Sequence, residues 1–378
     1  MVGAVSGCSH CDVLIAGGGP AGLAAAIALR QRGADVLVAD ALRPPIDKPC
    51  GEGLLPGSRD ALERLGVDLD ARDGVEFTGI LFADGEASVC ADFPRGAGLG
   101  MRRTVLHQLL LDRAAQLGVR TAWNTAVLLK ANQPASVGGA TCAYSWLIGA
   151  DGHASRVRSW AGLNAGRLRG LRLGFRAHFH VAPWSSRVEI HWGPLGQAYI
   201  TPVGPQEVCV AAITRQSGVR LGTFLESLPY LHAKLAGAAT TDAERGALTL
   251  TRRLRSVTRG NVALIGDASG SADAITGEGL SMAFRQALLL ADSLAAGGLD
   301  LYAARHEGIL ALPQRMASLM LLLDHYAWLR TRVLPVLAAR PELFREMLAV
   351  HVGEQPMPRF LLRNGAQLGA LLLAPGLA

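Results

Sequence analysis

The stretch VLIAGGGPAGLAAAIALRQRGADVLVAD, residues 13–40, constrains the fold more than any other part of the chain. Residues 13–16 are a short apolar run of the kind buried in a parallel sheet. Gly17, Gly19 and Gly22 then spell G-x-G-x-x-G. The first glycine allows the tight turn, the second lets the backbone approach a pyrophosphate, and the third lets helix and strand pack closely. A helix is expected over residues 20–32, opened by Pro20 and Ala21, with its N-terminal amides facing the phosphates. Residues 36–38 read as the second strand, and Asp40 after them is placed to accept hydrogen bonds from a ribose. A glycine-rich turn alone is a weak signal. Strand, helix, second strand and terminal acid in register predict a dinucleotide site, without saying which dinucleotide.

At 378 residues the chain suits one large domain or two interlocked ones. Its 50% apolar and 18% charged composition excludes a disordered chain. The net charge of +6 is modest and scattered, so it fits an anionic cofactor or an acidic lipid surface and gives nucleic-acid binding no support. Cysteines 50, 90, 142 and 209 are isolated, which predicts reduced thiols in a cytoplasmic protein. Cys8-Ser-His-Cys11 has C-x-x-C form but no second ligand pair, and is read as a frayed N-terminus ahead of the first strand. No secretory signal is visible, and the longest apolar stretches, such as residues 365–378, fall short of a membrane span of ~20 residues.

Two later segments repeat the strand-to-glycine-loop pattern. In RGNVALIGDASGSADAITGEGLSMAFRQA, a buried strand runs into Gly266-Asp267, and Gly277-Glu278-Gly279-Leu280 opens a long helix. In YSWLIGADGHASRVRSWAGL, an apolar run ends in Asp151-Gly152, with Ser155, Arg156 and Arg158 beyond. MRRTVLHQLLLDRAAQLGV adds an Arg-x-x-Leu helix start at Arg103. Together with the first unit, these motifs resemble the FAD-dependent monooxygenase and geranylgeranyl reductase superfamily, in the right order and over about a quarter of the chain. The resemblance implies FAD, with Asp267 holding the ribityl chain and the helix after Gly277, Glu278, Gly279 and Leu280 pointing its positive end at the flavin. It places Asp151 and Gly152 near the ribose, and Arg103 near the phosphates. It also implies NAD(P)H as electron donor. No second nucleotide fold is evident, so the nicotinamide is expected to dock transiently.

The implied fold is α/β: a Rossmann-type FAD-binding domain from residues 1–75, 100–165 and 255–300, interleaved with a substrate-binding antiparallel β-sheet domain from 76–99 and 166–254. A helical region over 301–378 completes it. In the sheet, alternation puts Arg176, His178 and His180 on one face, while Glu189 and His191 share a face opposite Trp192. Arg176, His178, Trp192, Tyr199 and Pro202 are the candidate substrate residues, and no metal is expected. From Tyr302 on, Pro335 and Pro341 are expected to divide an amphipathic tail that packs over the FAD domain, shapes the entrance or rests on a membrane surface.

The subfamily signals conflict. Gly270, Ala274 and the Gly277-Glu278-Gly279 triplet depart from the phenol-hydroxylase pattern, and KPCGEG at residues 48–53 resembles the reductase branch. Against that branch, Thr201 stands where a pocket tryptophan is usual, and the halogenase pattern is absent. The expected function is an NAD(P)H-dependent monooxygenase that hydroxylates an aromatic or phenolic polyketide or lipid through a C4a-hydroperoxyflavin. The alternative is a flavin-dependent reductase of isoprenoid or other alkene bonds, and a non-catalytic FAD-fold binding protein is a third reading. Cys50 and Gly51 are expected beside the flavin, Cys50 either lining it or acting in acid–base chemistry.

Overall fold

The computed structural model describes residues 10–85, 87–131 and 133–373. In chain order it runs through β1 (His10–Ala16), α1 (Pro20–Arg30), β2 (Val36–Ala39), β3 (Gly79–Asp84), α2 (Arg103–Gln116) and β4 (Ala140–Gly149). There follow β5 (Gly166–Phe179), β6 (Arg187–Gly193), β7 (Gly196–Gly204), β8 (Glu207–Thr214), β9 (Arg245–Leu254) and β10 (Val262–Leu264). Helices α3 (Gly279–Ala295), α4 (Asp300–His325), α5 (Ala327–Ala339), α6 (Pro341–His351) and α7 (Met357–Leu373) close the chain. Short strands and helical turns lie between these elements.

The first sheet has β1 at its centre, parallel to β2 on one side and to β4 on the other, with β10 parallel to β4 beyond. Its strands are apolar on both faces because both are covered. Val13, Ile15, Val36 and Val38 pack on one side against Leu23 and Ile27 of α1 and Phe284 and Leu288 of α3. Leu14, Leu37 and Leu147 pack on the other against Val157 and Leu163. Pro20 opens α1 from an extended Gly19. The helix stops at Arg30, two residues before the expected end, where the Arg32 and Gly33 amides fold back onto the carbonyls of Leu29 and Arg30. Gly33, at φ +86°, suits that reversal. Cys11 lies within β1, buried beside Cys142, rather than ahead of the first strand, and Cys8 lies outside the described residues.

The second sheet runs β9, β5, β8, β7, β6, β3 in its middle, antiparallel except where β3 meets β6 in parallel. One part of it, with Phe82, Ile190, Trp192 and Tyr199, packs against the helical region through Leu310, Met320, Leu337 and Phe344. The expected break at Pro335 is absent: this residue sits inside α5, where buried Leu334, Val336 and Leu337 hold the helix across the missing amide. Pro341 does mark a boundary, as the first residue of α6. Among the described residues no helix is long and apolar enough to cross a membrane.

Candidate active site

A continuous cavity of ≈ 1110 Å³ begins at the first glycine loop and ends between the second sheet and helices α4 and α6. Its first half is a channel lined by Gly17, Gly19, Pro20, Ala21, Asp40 and Arg103. Gly17 holds φ +113°, a conformation that favours glycine. Gly22 does not reach the channel: a Cβ there would lie 1.9 Å from the Gly17 carbonyl oxygen, so its smallness lets α1 pack on the loop. Gly19 is different, with open space where a Cβ would point. Asp40 accepts from the Gly18 amide at 2.7 Å and the Leu42 amide at 2.8 Å, so it also fixes the loop it is expected to serve.

Further along, Asp151, Gly152, Gly266, Asp267, Gly277, Gly279 and Leu280 line the same channel. Asp151 accepts from the Arg156 and Val157 amides and the Ser155 hydroxyl, which makes it the anchor of a short helix start. Asp267 pairs with Lys48 at 2.7 Å and lies 3.3 Å from His153 Nε2. Burial alone would raise its carboxyl, but Lys48 and His153 outweigh burial and hold it below the ordinary range. Arg158, which the sequence reading left without a role, is buried and donates to the carbonyls of His153 and Ala268. It thereby ties the Asp151 loop to the Asp267 loop.

The Asp47–Gly53 loop crosses the middle of the cavity. Its Gly51 carbonyl accepts from Thr201 Oγ1 at 2.7 Å, and the Cys50 carbonyl accepts from Cys209 Sγ at 3.7 Å. Thr201, at the position expected for tryptophan, therefore anchors this loop. Cys50 lines the cavity, and its Sγ accepts from the Glu52 amide at 3.4 Å. Lys48 is committed to Asp267, and Glu52 turns away into the protein with φ +57°.

Arg176 and His178 do not line the cavity. They are buried behind the loop, where Arg176 bonds Glu52 at 3.1 Å and Asp47 at 2.8 Å, and His178 bridges Glu52 at 2.6 Å and Asp242 at 2.8 Å. The alternation that groups them is real, but the face they share is neutralised by carboxylates. His180 falls beyond the end of β5 and is exposed. Glu52, His178 and Cys209 are close enough to hold a metal ion. The Arg176 guanidinium already occupies that neighbourhood, 3.1 Å from Glu52 and 3.2 Å from His178, and opposes a second cation. Trp192 and Pro202 also lie off the cavity, Trp192 because its ring is buried edge-on against Phe82.

Beyond the loop the cavity becomes an apolar chamber, with Phe82, Ile190 and Tyr199 from the sheet facing Met316, Met320 and Phe344 from α4 and α6. The Tyr199 hydroxyl is buried and donates to Gln197 or the Ile275 carbonyl, at 3.0 and 3.1 Å. His351, at the end of α6, lines the chamber beside Thr276 and Gly277, while Glu278 stands behind it. The sequence reading missed His351, and its position near the C-terminal end offered no motif to find it by.

FAD fits the channel. Gly19, Gly51, Gly152, Gly277 and Gly279 all leave open space where a side chain would project, and all line the cavity. Arg103 Nε is buried on its wall without a hydrogen-bond partner among the described residues. A donor left in this state calls for an acceptor such as a phosphate. The amino end of the long helix α3 adds the favourable pole of its dipole.

Comparison with known proteins agrees. Residues 10–190 match the model of the FAD binding domain family. The menaquinone reductase of Mycolicibacterium smegmatis is 27% identical over 331 residues, covering 78% of this chain and 79% of that protein. The digeranylgeranylglycerophospholipid reductase of Methanosarcina mazei is 26% identical over 297 residues, 71% of each chain. The p-nitrophenol 4-monooxygenase PnpA from Pseudomonas putida superposes with a TM-score of 0.72 at 19% identity, over 96% of this chain and 99% of that one. At that identity the superposition establishes the fold.

Proposed function

We propose that this chain, which belongs to the FAD-dependent monooxygenase and geranylgeranyl reductase superfamily, is an oxidoreductase that saturates a carbon–carbon double bond in the prenyl chain of a lipid. NAD(P)H is the proposed electron donor. The observation that carries the reading is the chamber: it opens directly from the flavin channel, and aliphatic and aromatic side chains make up most of its walls, with His351 and Thr276 as polar exceptions. A phenol substrate calls for a polar group to hold or ionise its hydroxyl. Tyr199, the chamber's own phenol, spends its hydroxyl on Gln197 and Ile275. A prenyl chain asks only for apolar surface and exclusion of water. The two reductases similar over most of this chain support the reading, since both are named for lipids with isoprenoid chains.

FAD supplies the hydride-transfer chemistry when bound. Gly19, Arg103 and the Lys48–Asp267 pair would hold it, and the Cys50 loop, fixed by Thr201 and Glu52, borders the chamber. Exposed Leu319, Leu322, Tyr326 and Trp328 at the junction of α4 and α5 give a lipid substrate an apolar approach, so peripheral contact with a bilayer belongs to the same proposal.

The test is to reduce the enzyme anaerobically and add prenyl lipids. Reoxidation by an alkene in the absence of oxygen, with a saturated product, is expected. Incorporation of labelled oxygen into an aromatic product would instead establish the hydroxylase and overturn the reductase.

A further inference from the structure

Saturating an alkene takes a hydride at one carbon and a proton at the other, and besides Cys50 on the cavity loop the chamber's own wall holds an ionisable group, His351. We propose that Glu278 and His351 form the acid of this site, with His351 passing the proton to the substrate and Glu278 recharging it. The proposal rests on the reductase reading and adds residues that the superfamily motifs do not assign to this role.

The geometry is specific. Glu278 immediately precedes α3, its side chain only 9% exposed, and its Oε2 carries no hydrogen-bond partner among the described residues. The nearest ionisable atom facing it is Nδ1 of His351, at 3.7 Å, too long for a formed hydrogen bond and short enough for one to close with a small side-chain adjustment. His351 is the member that lines the chamber, and its ring also meets the Thr276 backbone. The two residues come from different elements, and each leaves the other as its ionisable neighbour. The other charge acting on Glu278 is Arg285, about two helical turns along α3.

Both groups are poised neutral. Burial pushes the Glu278 carboxyl up to about 8 against the pull of Arg285, so it holds its proton at pH 7. Burial pushes the His351 imidazole down to about 4, so the ring is neutral and able to accept on one nitrogen while donating from the other. A buried carboxylic acid that stays protonated near neutrality is the form a general acid needs.

The step balances. FAD, once reduced by NAD(P)H, would supply the hydride for one C–H bond as the alkene π bond breaks. The imidazole N–H makes the second C–H bond. The Glu278 proton moves to Nδ1, the nitrogen that faces it, as the opposite ring nitrogen gives up its own. Before the next turnover Nδ1 returns its proton to the carboxylate and the opposite nitrogen takes one up from solvent, which restores the starting tautomer.

Two measurements on the FAD-loaded enzyme test this. Infrared spectroscopy across pH should show a protonated carboxyl band at pH 7 that titrates with a midpoint of about 8 and is missing in Glu278→Gln. Anaerobic reoxidation by a prenyl lipid should slow about 10²- to 10⁴-fold in Glu278→Gln and in His351→Asn, the usual reach of general acid catalysis. The loss should fall on reoxidation by the alkene rather than on reduction by NAD(P)H. Equal loss in both half-reactions would mark a flavin-positioning defect and overturn the proposal, as would absence of the carboxyl band at pH 7. If no prenyl lipid reoxidises the wild-type enzyme, the reductase reading falls, while the infrared band still decides whether this pair stores a proton.

Discussion

The Nε2 atom of His178 lies 2.6 Å from a carboxylate oxygen of Glu52, with both side chains fully buried. Glu52 thereby reaches back from the cavity loop to the second sheet, and its other oxygen accepts from Arg176 and from the Arg103 amide. A positive φ at a non-glycine residue costs about 1–3 kcal/mol, so the network has to over-determine this conformation. Truncating Glu52 to alanine leaves Arg176 and His178 buried without their central partner. A loss of about 3–5 kcal/mol is expected, measured by chemical denaturation, together with weaker FAD retention. Wild-type stability in Glu52→Ala would show that something other than this network fixes the loop.

Stability should fall away on both sides of a maximum between about pH 6 and pH 7. Burial pushes His306 and His351 down to about 4, while the unfolded chain protonates them near 6.5. The unfolded state therefore binds more protons between those values, and stability drops as pH falls through that window, by about 3 kcal/mol for each histidine at its end. Glu278 acts in the opposite direction. Its folded carboxyl keeps the proton up to about 8 while the unfolded one ionises near 4.5, so stability drops as pH rises between them. Urea midpoints recorded across pH should show both limbs. His306→Gln should flatten the acid limb and Glu278→Gln the alkaline one, and an unchanged limb in either variant would refute its assignment.

What the sequence made legible was whatever depends on neighbours along the chain. The turn at Gly17, the packing at Gly22 and the approach at Gly19 are local geometry, so the first unit could be read from spacing alone. The same holds for the strands that lead into the Asp151 and Asp267 loops. Arg176 and His178 were grouped correctly by alternation, but their roles were set by partners that no local pattern reveals. Glu52 is 126 residues from His178, and Asp242 is 64. Trp192 fell off the cavity for a related reason: Val188 and Ile190 on its own face do line it, and only the folded sheet shows that Trp192, further along the strand, is packed against Phe82 instead. Glu278 was read with the flavin motif, and only the arrival of α6 makes it the neighbour of His351.

Gly19 and Gly22 belong to one motif but should fail differently. A Cβ at Gly22 meets the Gly17 carbonyl at 1.9 Å, whereas one at Gly19 meets nothing within 4 Å. Gly22→Ala is therefore expected to lower the melting temperature of the protein itself. Gly19, at φ −70°, can accept alanine without backbone strain, so Gly19→Ala should keep the apoprotein's stability and lose FAD affinity. Melting curves with and without added FAD separate the two effects. Equal destabilisation of both apoproteins would refute this division of labour.

The chamber's size sets the last prediction. Met320 projects from α4 into the space that Phe82 and Ile190 bound on the sheet side, and Met316 one turn earlier does the same. Methionine fills such a gap adaptably, while tryptophan at position 320 would occupy part of the volume assigned to the prenyl chain. The overpacking should cost about 1–3 kcal/mol of stability. Its diagnostic effect lies in substrate choice: Met320→Trp should raise KM for a long prenyl lipid far more than for a short-chain analogue. Reduction of the flavin by NAD(P)H should be unaffected, because Met320 lies in the chamber, beyond the channel of Gly19, Arg103 and Asp267. Steady-state kinetics with substrates of graded chain length read this directly. A KM increase independent of chain length would mean that the prenyl chain does not lie against α4.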